Sequence, residues 1–299
     1  MRSHERVPAG PTGTPPGWDA AVTDLRHRLS FVTVAERPAA DDRFPHFMVL
    51  GPQRTGTTWL YEHLGRHPQV MMPACKATRY FSTLDDRGNA AHRSTELAWY
   101  LSHFRESWWD RRRKSVACLW RTGEQYAPAV YGEATASYAA LPDDVLADVA
   151  VLNPRLKAVM IVRDPVARAW SHAKKDLLRE PGRRLEEVPE AEFERFFTDP
   201  YIQRCGQATA NLDRWAGAFG PDAVFVGWFS DLARRPAGLL SDVMTFLGVR
   251  AGGRYLGRDH RRRVNPTEAC DVPPRLAARL DALFGPERAA LVERFGRFD

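Results

Sequence analysis

Lysine is scarce in this chain. Of 43 basic residues among 299, only Lys76, Lys114, Lys157, Lys174 and Lys175 are lysines, and the rest are arginine. The cationic chemistry therefore falls to a side chain that stays charged and meets phosphate through a planar fork of donors. Cysteine is scarcer still. Cys75, Cys118, Cys205 and Cys270 form no C-x-x-C pair, which argues against a zinc site and a disulfide framework and predicts reduced thiols. No uncharged apolar run approaches the roughly 18 residues of a membrane span. The start, MRSHERVPAGPTGTPPGWD, lacks the apolar core of a signal peptide. A cytoplasmic protein with no membrane partner is expected. The net charge of +6 would also suit nucleic acid, but no helix-turn-helix, zinc-finger or RNA-recognition signature accompanies it. The arginine excess points instead to a small polyanionic ligand.

A hydrophobic content of 44% over 299 residues supports one large domain. Residues 1–40, rich in Pro and Gly near their start, read as a partly disordered extension with a short helix at 18–30. Residues 41–299 read as the folded domain. FPHFMVL runs as a strand into a glycine loop, and TTWLYEHLGRHP follows as an amphipathic helix ended by His67-Pro68. Residues 70–130 read as irregular and aromatic. Strands are predicted at 129–134, at 156–162 (LKAVMIV, a continuous apolar run typical of a buried parallel strand) and at 223–228. Helices are predicted at 166–178, 202–219, 231–247 (capped by Gly248), 274–283 and 286–295, with an exposed charged segment at 179–195. Strands alternating with helices give an α/β, P-loop-like three-layer fold, a central parallel sheet flanked by helices.

Two stretches carry chemistry. VLGPQRTGTTWL holds Gly51, Gly56 and Thr58 at the spacing of the phosphate loop G-x-x-x-x-G-K-[ST]. The lysine slot holds Thr57, and the only cation of the loop is Arg54. Backbone N–H groups of residues 53–58 at a helix N-terminus suit an anion without any side chain. Thr55, Thr57 and Thr58 add hydroxyls. In the second stretch, IVRDPVARAWSHA, Arg163 directly follows a buried strand, at the edge where open α/β sheets bind ligands. Asp164 is a natural N-cap and Pro165 a natural first helical residue. Ser171 lies two turns further along, with Arg168 between.

Together these stretches resemble the sulfotransferase family, whose members move a sulfuryl group from 3′-phosphoadenosine 5′-phosphosulfate (PAPS). The similarity runs from about residue 45 onward and includes His67-Pro68, Trp99-Tyr100, GEATASY at 132–138 and VNP at 264–266. It is nearest in pattern to the bacterial and Golgi-type branch. The resemblance implies that Arg54, Thr55, Gly56, Thr57 and Thr58 wrap the 5′-phosphosulfate. It implies that Arg163 and Ser171 hold the 3′-phosphate, and that Arg261, Arg262 and Arg263 lie in a loop folding over the adenosine. Charge grows on the oxygen bridging sulfur to phosphate, so a cation there lowers the barrier. Many relatives place lysine at that point, and the resemblance implies that Arg54 takes that part here. Such a loop needs no magnesium ligand, and no metal is expected.

The chain also departs from that pattern. Relatives often read K-E-P-x-Y-F after the first helix, with the glutamate as base; here Lys76-Ala77-Thr78-Arg79-Tyr80-Phe81 stands there. An E-K-T-P stretch of glycosaminoglycan relatives is Glu133-Ala134-Thr135-Ala136. Glu133 is then the leading candidate for the base, with His103 and His92 behind it. An acceptor that needs little base is a further reading. The aromatic segment 80–126 and Arg111–Lys114 suit a small acidic or aromatic acceptor, a secondary metabolite or glycoside, sulfated on a hydroxyl or amine. The alternatives are a glycan sulfotransferase, a P-loop small-molecule kinase and a non-catalytic PAPS-binding protein.

Overall fold

The computed structural model describes residues 44–179, 183–257, 259–261, 264 and 271–299. The helix expected at 18–30 lies outside them. The order is β1 (Phe47–Val49), α1 (Thr57–Leu64), β2 (Val70–Met71), α2 (Leu97–Ser102), α3 (Trp108–Thr122), β3 (Val130–Ala134), α4 (Asp143–Leu152) and β4 (Lys157–Val162). Then come α5 (Pro165–Leu177), α6 (Glu190–Thr198), α7 (Pro200–Gly206), α8 (Ala208–Phe219), β5 (Val224–Trp228), α9 (Asp231–Arg234), α10 (Pro236–Leu247) and α11 (Pro274–Phe295). All strand pairs are parallel, in the order β2-β3-β1-β4-β5. Phe47 faces Gly132 on one side and Lys157 on the other.

Alternation along the central strands sends side chains to two cores. Phe47, Val49, Val159 and Ile161 pack with Leu60 and Leu64 of α1 and Leu239, Leu240 and Val243 of α10. Met48, Leu50, Ala158 and Met160 pack on the other face with Tyr80, Phe81, Tyr100, Leu146, Leu212 and Trp215. This is the expected three-layer α/β arrangement. A third cluster joins α5, α6 and α11 through Trp170, Phe193, Phe197, Leu280 and Phe284.

Four expectations are corrected. Residues 70–130 are not irregular throughout. α3 is a full helix with Ser107 as N-cap, accepting from the Asp110 N–H at 3.1 Å, and Gly123 in the left-handed region as C-cap. The segment 202–219 is two helices. Gly206 lies under Phe284, where a Cβ would come within 2.6 Å of the ring, and the Arg204 carbonyl at the break accepts from the Gln207 N–H at 3.2 Å and from the Asn211 side chain at 2.8 Å. The segment 231–247 breaks before Pro236, which forces Arg235 out of the helical region to φ −143°. Conversely, 274–295 is one helix through Pro286. Its buried stripe of Leu276, Leu280, Phe284 and Leu291 outweighs the one backbone bond that proline forfeits.

Candidate active site

The loop after β1 is held by its glycines. A Cβ on Gly51 would lie 1.9 Å from the Ala136 carbonyl oxygen, so only glycine lets the loop start against the segment after β3. Gly56 is the N-cap of α1 at φ +90° and has no side chain to cap with. The first-turn N–H groups of α1 have no acceptor inside the helix. They and the positive end of the helix dipole are available to an anion. Arg54 is itself left-handed, at φ 73°, a conformation uncommon outside glycine and associated with functional sites. The Thr55 hydroxyl donates to the Pro52 carbonyl at 2.8 Å and is fully buried. It staples the loop, so the hydroxyl proton expected for a ligand is engaged within the loop here and the N–H of Thr55 stays on offer. Thr57 is buried and Thr58 half-buried at the helix start.

The second stretch folds as expected up to the site. The Asp164 carboxylate accepts from the Val166 and Ala167 N–H groups at 2.8 and 3.2 Å, and Pro165 begins α5. Arg288 of α11 donates to both Asp164 oxygens, at 3.1 and 2.9 Å, and so ties the motif to the C-terminal helix. From this base the two stretches converge. Arg163 donates to the Arg54 carbonyl at 2.8 Å, across 109 residues of chain. Arg54 Nε donates to the Ser171 hydroxyl at 2.9 Å, across 117 residues. Arg163 also lies 4.2 Å from the Phe229 ring centroid. Burial, reinforced by Arg54, pushes the Arg163 guanidinium down to about 10. Burial also lowers the Arg54 guanidinium, against the field of Asp176. Behind them Arg168 is buried, with Nε and one terminal nitrogen unpartnered among the described residues. Three guanidinium groups thus raise the potential at one loop.

Lys76 extends this positive wall. Burial, with Arg79 and then Lys175 nearby, lowers its ammonium to about 8, against Glu62 of α1. The segment 76–79 therefore shares its field with the end of α5. Ala77 and Arg79 are both left-handed, at φ 65° and 56°. The sequence reading did not include Lys175 or Arg79. The available signal was Lys175 one helical turn beyond Ser171 on the same face.

Glu133 lies beneath this segment. Its carboxylate accepts from the Thr78 and Thr135 hydroxyls at 2.8 Å each, and from Tyr100 in a short bond. Tyr138 completes the cluster, bonded to Thr78 at 3.1 Å and to the Phe81 N–H at 3.2 Å. Burial raises the Glu133 carboxyl, and the three hydroxyls partly offset this. With 1% exposure the carboxylate expected as the leading candidate for the base is enclosed by these hydroxyls and turned away from solvent. His103 is bonded to the Trp99 carbonyl at 2.9 Å and packed on the Trp99 ring. His92 is bonded to the Thr83 carbonyl at 2.9 Å. None of these contacts links either histidine to the loop. Of the aromatic segment, Tyr80, Phe81 and Tyr100 are core, whereas Trp108, Trp109 and Trp120 are exposed.

Arg261 is exposed on a turn that α1 tethers. Arg66 binds Asp259 at 2.6 Å, and Trp59 Nε1 donates to the His260 carbonyl at 3.0 Å. Arg262 and Arg263 lie outside the described residues.

Comparison with known proteins places this geometry. Residues 45–251 match the profile described as the sulfotransferase family. The chain belongs to the sulfotransferase family. This sulfotransferase is 24% identical over 255 residues to mouse bifunctional heparan sulfate N-deacetylase/N-sulfotransferase 4, covering 83% of the chain and 27% of the relative. It is 25% identical over 244 residues to the human enzyme 1 of that group, covering 78% and 25%. The chain thus spans about a quarter of the length of these relatives. A sulfotransferase structure from Alicyclobacillus acidocaldarius matches its fold with a TM-score of 0.60 at 24% identity, covering 85% of this chain and 97% of that one. Members of the family bind PAPS or its product, 3′-phosphoadenosine 5′-phosphate (PAP).

Proposed function

We propose that this sulfotransferase moves a sulfuryl group from PAPS to an amine or hydroxyl of a small acceptor. The observation that carries the reading is the convergence of Arg163 and Ser171 on the Arg54 loop. The residues fit a donor with an anionic group at each end. An uncapped helix N-terminus lies in the same loop as Arg54, and Lys76 lacks a neutralising partner strong enough to hold its ammonium at the ordinary value. The first-turn amides of α1 with Arg54, Thr57 and Thr58 would hold the 5′ end. Arg163 and Ser171 would hold the 3′-phosphate, and Arg261 would close from the turn at 259–261.

Bound there, the donor supplies a sulfuryl group activated as a mixed anhydride. The chain's own residues supply the rest. Arg54 and the loop amides stabilise the negative charge left on the bridging oxygen when the sulfur–oxygen bond breaks, a preorganised electrostatic contribution. Arginine suits this role, because the phosphate oxygen released is a weak base and needs no proton. Lys76, Arg79 and Lys175 steer the anion into the loop.

The proton of the acceptor is the remaining part. Glu133 is sealed, Ala77 occupies the slot where relatives often carry glutamate, and the described contacts of His103 and His92 lead elsewhere. This arrangement supports an acceptor that needs little base, an amine or an acidic hydroxyl, whose proton passes to solvent. The N-sulfotransferase relatives favour the amine. Glu133 is then a positioning residue that fixes Thr78 and the left-handed turn above it.

The test is calorimetric titration with PAP, with ADP and ATP–magnesium as controls, followed by turnover with matched amine and alcohol acceptors. Tight binding that requires the 3′-phosphate is expected, with amines turned over faster. Preference for ATP–magnesium would replace the reading with a kinase. Tight PAP binding with no sulfated product from either class would replace it with a non-catalytic binder.

A further inference from the structure

Six large hydrophobic side chains are conspicuously exposed among the described residues, and five of them lie on α3: Trp108, Trp109, Val116, Leu119 and Trp120. The tryptophans are exposed by 61%, 74% and 88% in that order. At about 100° per residue these five side chains fall within an arc of about 120°. The opposite side of the helix is the docked one. Cys118 is buried against the Arg66 carbonyl, and Lys114 pairs with Glu106 at 2.6 Å and lies over the Tyr126 ring. The helix is thus fixed to the domain through one edge and offers an apolar face outward.

That face is flanked by cations. Arg112 and Arg113 stand on and beside it, against the single carboxylate of the helix, Asp110, while Arg111 and Lys114 pair with Glu106 and Arg121 reaches back to the Arg66 carbonyl on the docked side. Arg112 lies 5.6 Å from the Trp108 ring centroid, within the apolar arc itself. Arg113 reaches Asp110 only at 3.7 Å and is 79% exposed.

This composition selects among occupants. A second copy packed about a two-fold axis on this face would bring the arginines of two helices into one contact, with Asp110 the only carboxylate that either helix supplies. A polyanionic sugar chain would satisfy the arginines and could stack on tryptophan, but it offers nothing to Val116 and Leu119. An anionic bilayer surface satisfies both sets. Hydrocarbon receives the aliphatic and indole groups, and phosphate receives the guanidinium groups. Tryptophan is also the side chain most at home at that boundary. At about 1.5 Å per residue the helix is about 22 Å long, enough to lie flat on a membrane. No described helix is long and apolar enough to cross one, and an interfacial helix has no need to. The sequence expectation of no membrane partner rested on the missing span and the missing signal-peptide core, neither of which bears on an interfacial helix.

We propose that α3 docks this sulfotransferase on an anionic lipid surface, with Trp109, Val116 and Trp120 inserted and Arg112 and Arg113 at the headgroups. The experiment is co-sedimentation of the full chain with phosphatidylcholine vesicles containing or lacking phosphatidylglycerol, with tryptophan emission read in parallel. Binding that requires phosphatidylglycerol, weakens with salt and shifts the emission to the blue is expected. The double substitution Trp109→Ser and Trp120→Ser should lower vesicle affinity by at least about tenfold. Arg112→Ser with Arg113→Ser should lower it by about fivefold per charge. Both variants should keep the wild-type melting temperature and PAP affinity, since the altered side chains are exposed and none is among the residues assigned to the donor. Three outcomes would overturn the proposal: no binding to phosphatidylglycerol vesicles at low salt, vesicle binding indifferent to the tryptophans, or a tryptophan-dependent dimer in sedimentation velocity in place of vesicle binding. Capture by an acidic polysaccharide without vesicle binding would equally replace the lipid with a glycan.

Discussion

Replacing Glu133 by alanine separates a positioning residue from a general base. The carboxylate takes hydroxyl bonds from Tyr100, Thr78 and Thr135 inside a sealed cluster. Removing it leaves buried donors without an acceptor, at about 1–3 kcal/mol for each that finds no substitute. Thr78 and Tyr138 can still bond one another at 3.1 Å, so two such losses are expected, offset in part by relief from burying a charge. The net loss is about 3 kcal/mol, or about 6 °C of melting temperature at about 2 °C per kcal/mol for a domain of this size. Glu133→Gln keeps the shape and tests the charge alone. The folded carboxyl titrates above its unfolded value because of burial. The stability it contributes is therefore fully present below the unfolded value and is lost as pH rises through the folded one. The glutamine variant lacks this term, so its stability relative to wild type should improve between about pH 5 and about pH 8. The assays are urea denaturation at both pH values and PAP titration of each variant. An alanine variant as stable as wild type, with intact PAP affinity and turnover reduced by about 100-fold or more, would refute the positioning role and restore Glu133 as the base.

Three further outcomes follow from the loop and its surroundings. Arg54→Ala should lower turnover by about 100- to 1,000-fold while PAP affinity falls by less, and Arg54→Lys should recover much of the rate; unchanged turnover in the alanine variant would remove Arg54 from the chemistry. Arg163→Ala should weaken PAP binding by about 10- to 100-fold, and Ser171→Ala by about fivefold, with ADP binding little altered; equal effects on PAP and ADP would mean that neither residue contacts the 3′-phosphate. Lys76 titrates near 8 in the free chain, and an anion beside it must raise that value. PAP binding then takes up a proton near this pH, and affinity should decline as pH rises through about 8. Lys76→Met should flatten the profile in calorimetry, and a flat wild-type profile would count against any contact with the donor.

Local chemistry alone carried much of the site. Gly51 and Gly56 at loop spacing, Asp164 before Pro165, and an apolar strand ending at Arg163 each impose their geometry on a few neighbouring residues. The structure folds them accordingly, because caps, prolines and left-handed turns act over one or two residues. The sheet was legible for the same reason in four of its strands; β2, at two residues, is too short to leave a pattern. α3 was missed although Ser107 and Gly123 mark both its ends. Its apolar residues face outward, so a pattern sought for burial did not reveal a helix. Pro236 and Pro286 show how far context decides: one ends a helix, and the other sits inside one held by a buried stripe. Glu133 looked like a base because its slot in the sequence says nothing of depth. Only packing brings Tyr100, Thr78 and Thr135 around it, from positions up to 55 residues away. The meeting of Arg54, Arg163 and Ser171, and of Lys76 with Lys175, likewise belongs to tertiary structure. The sequence set which groups were cationic and how each turn was built; the parallel sheet, by bringing the ends of β1 and β4 side by side, decided that they share one field.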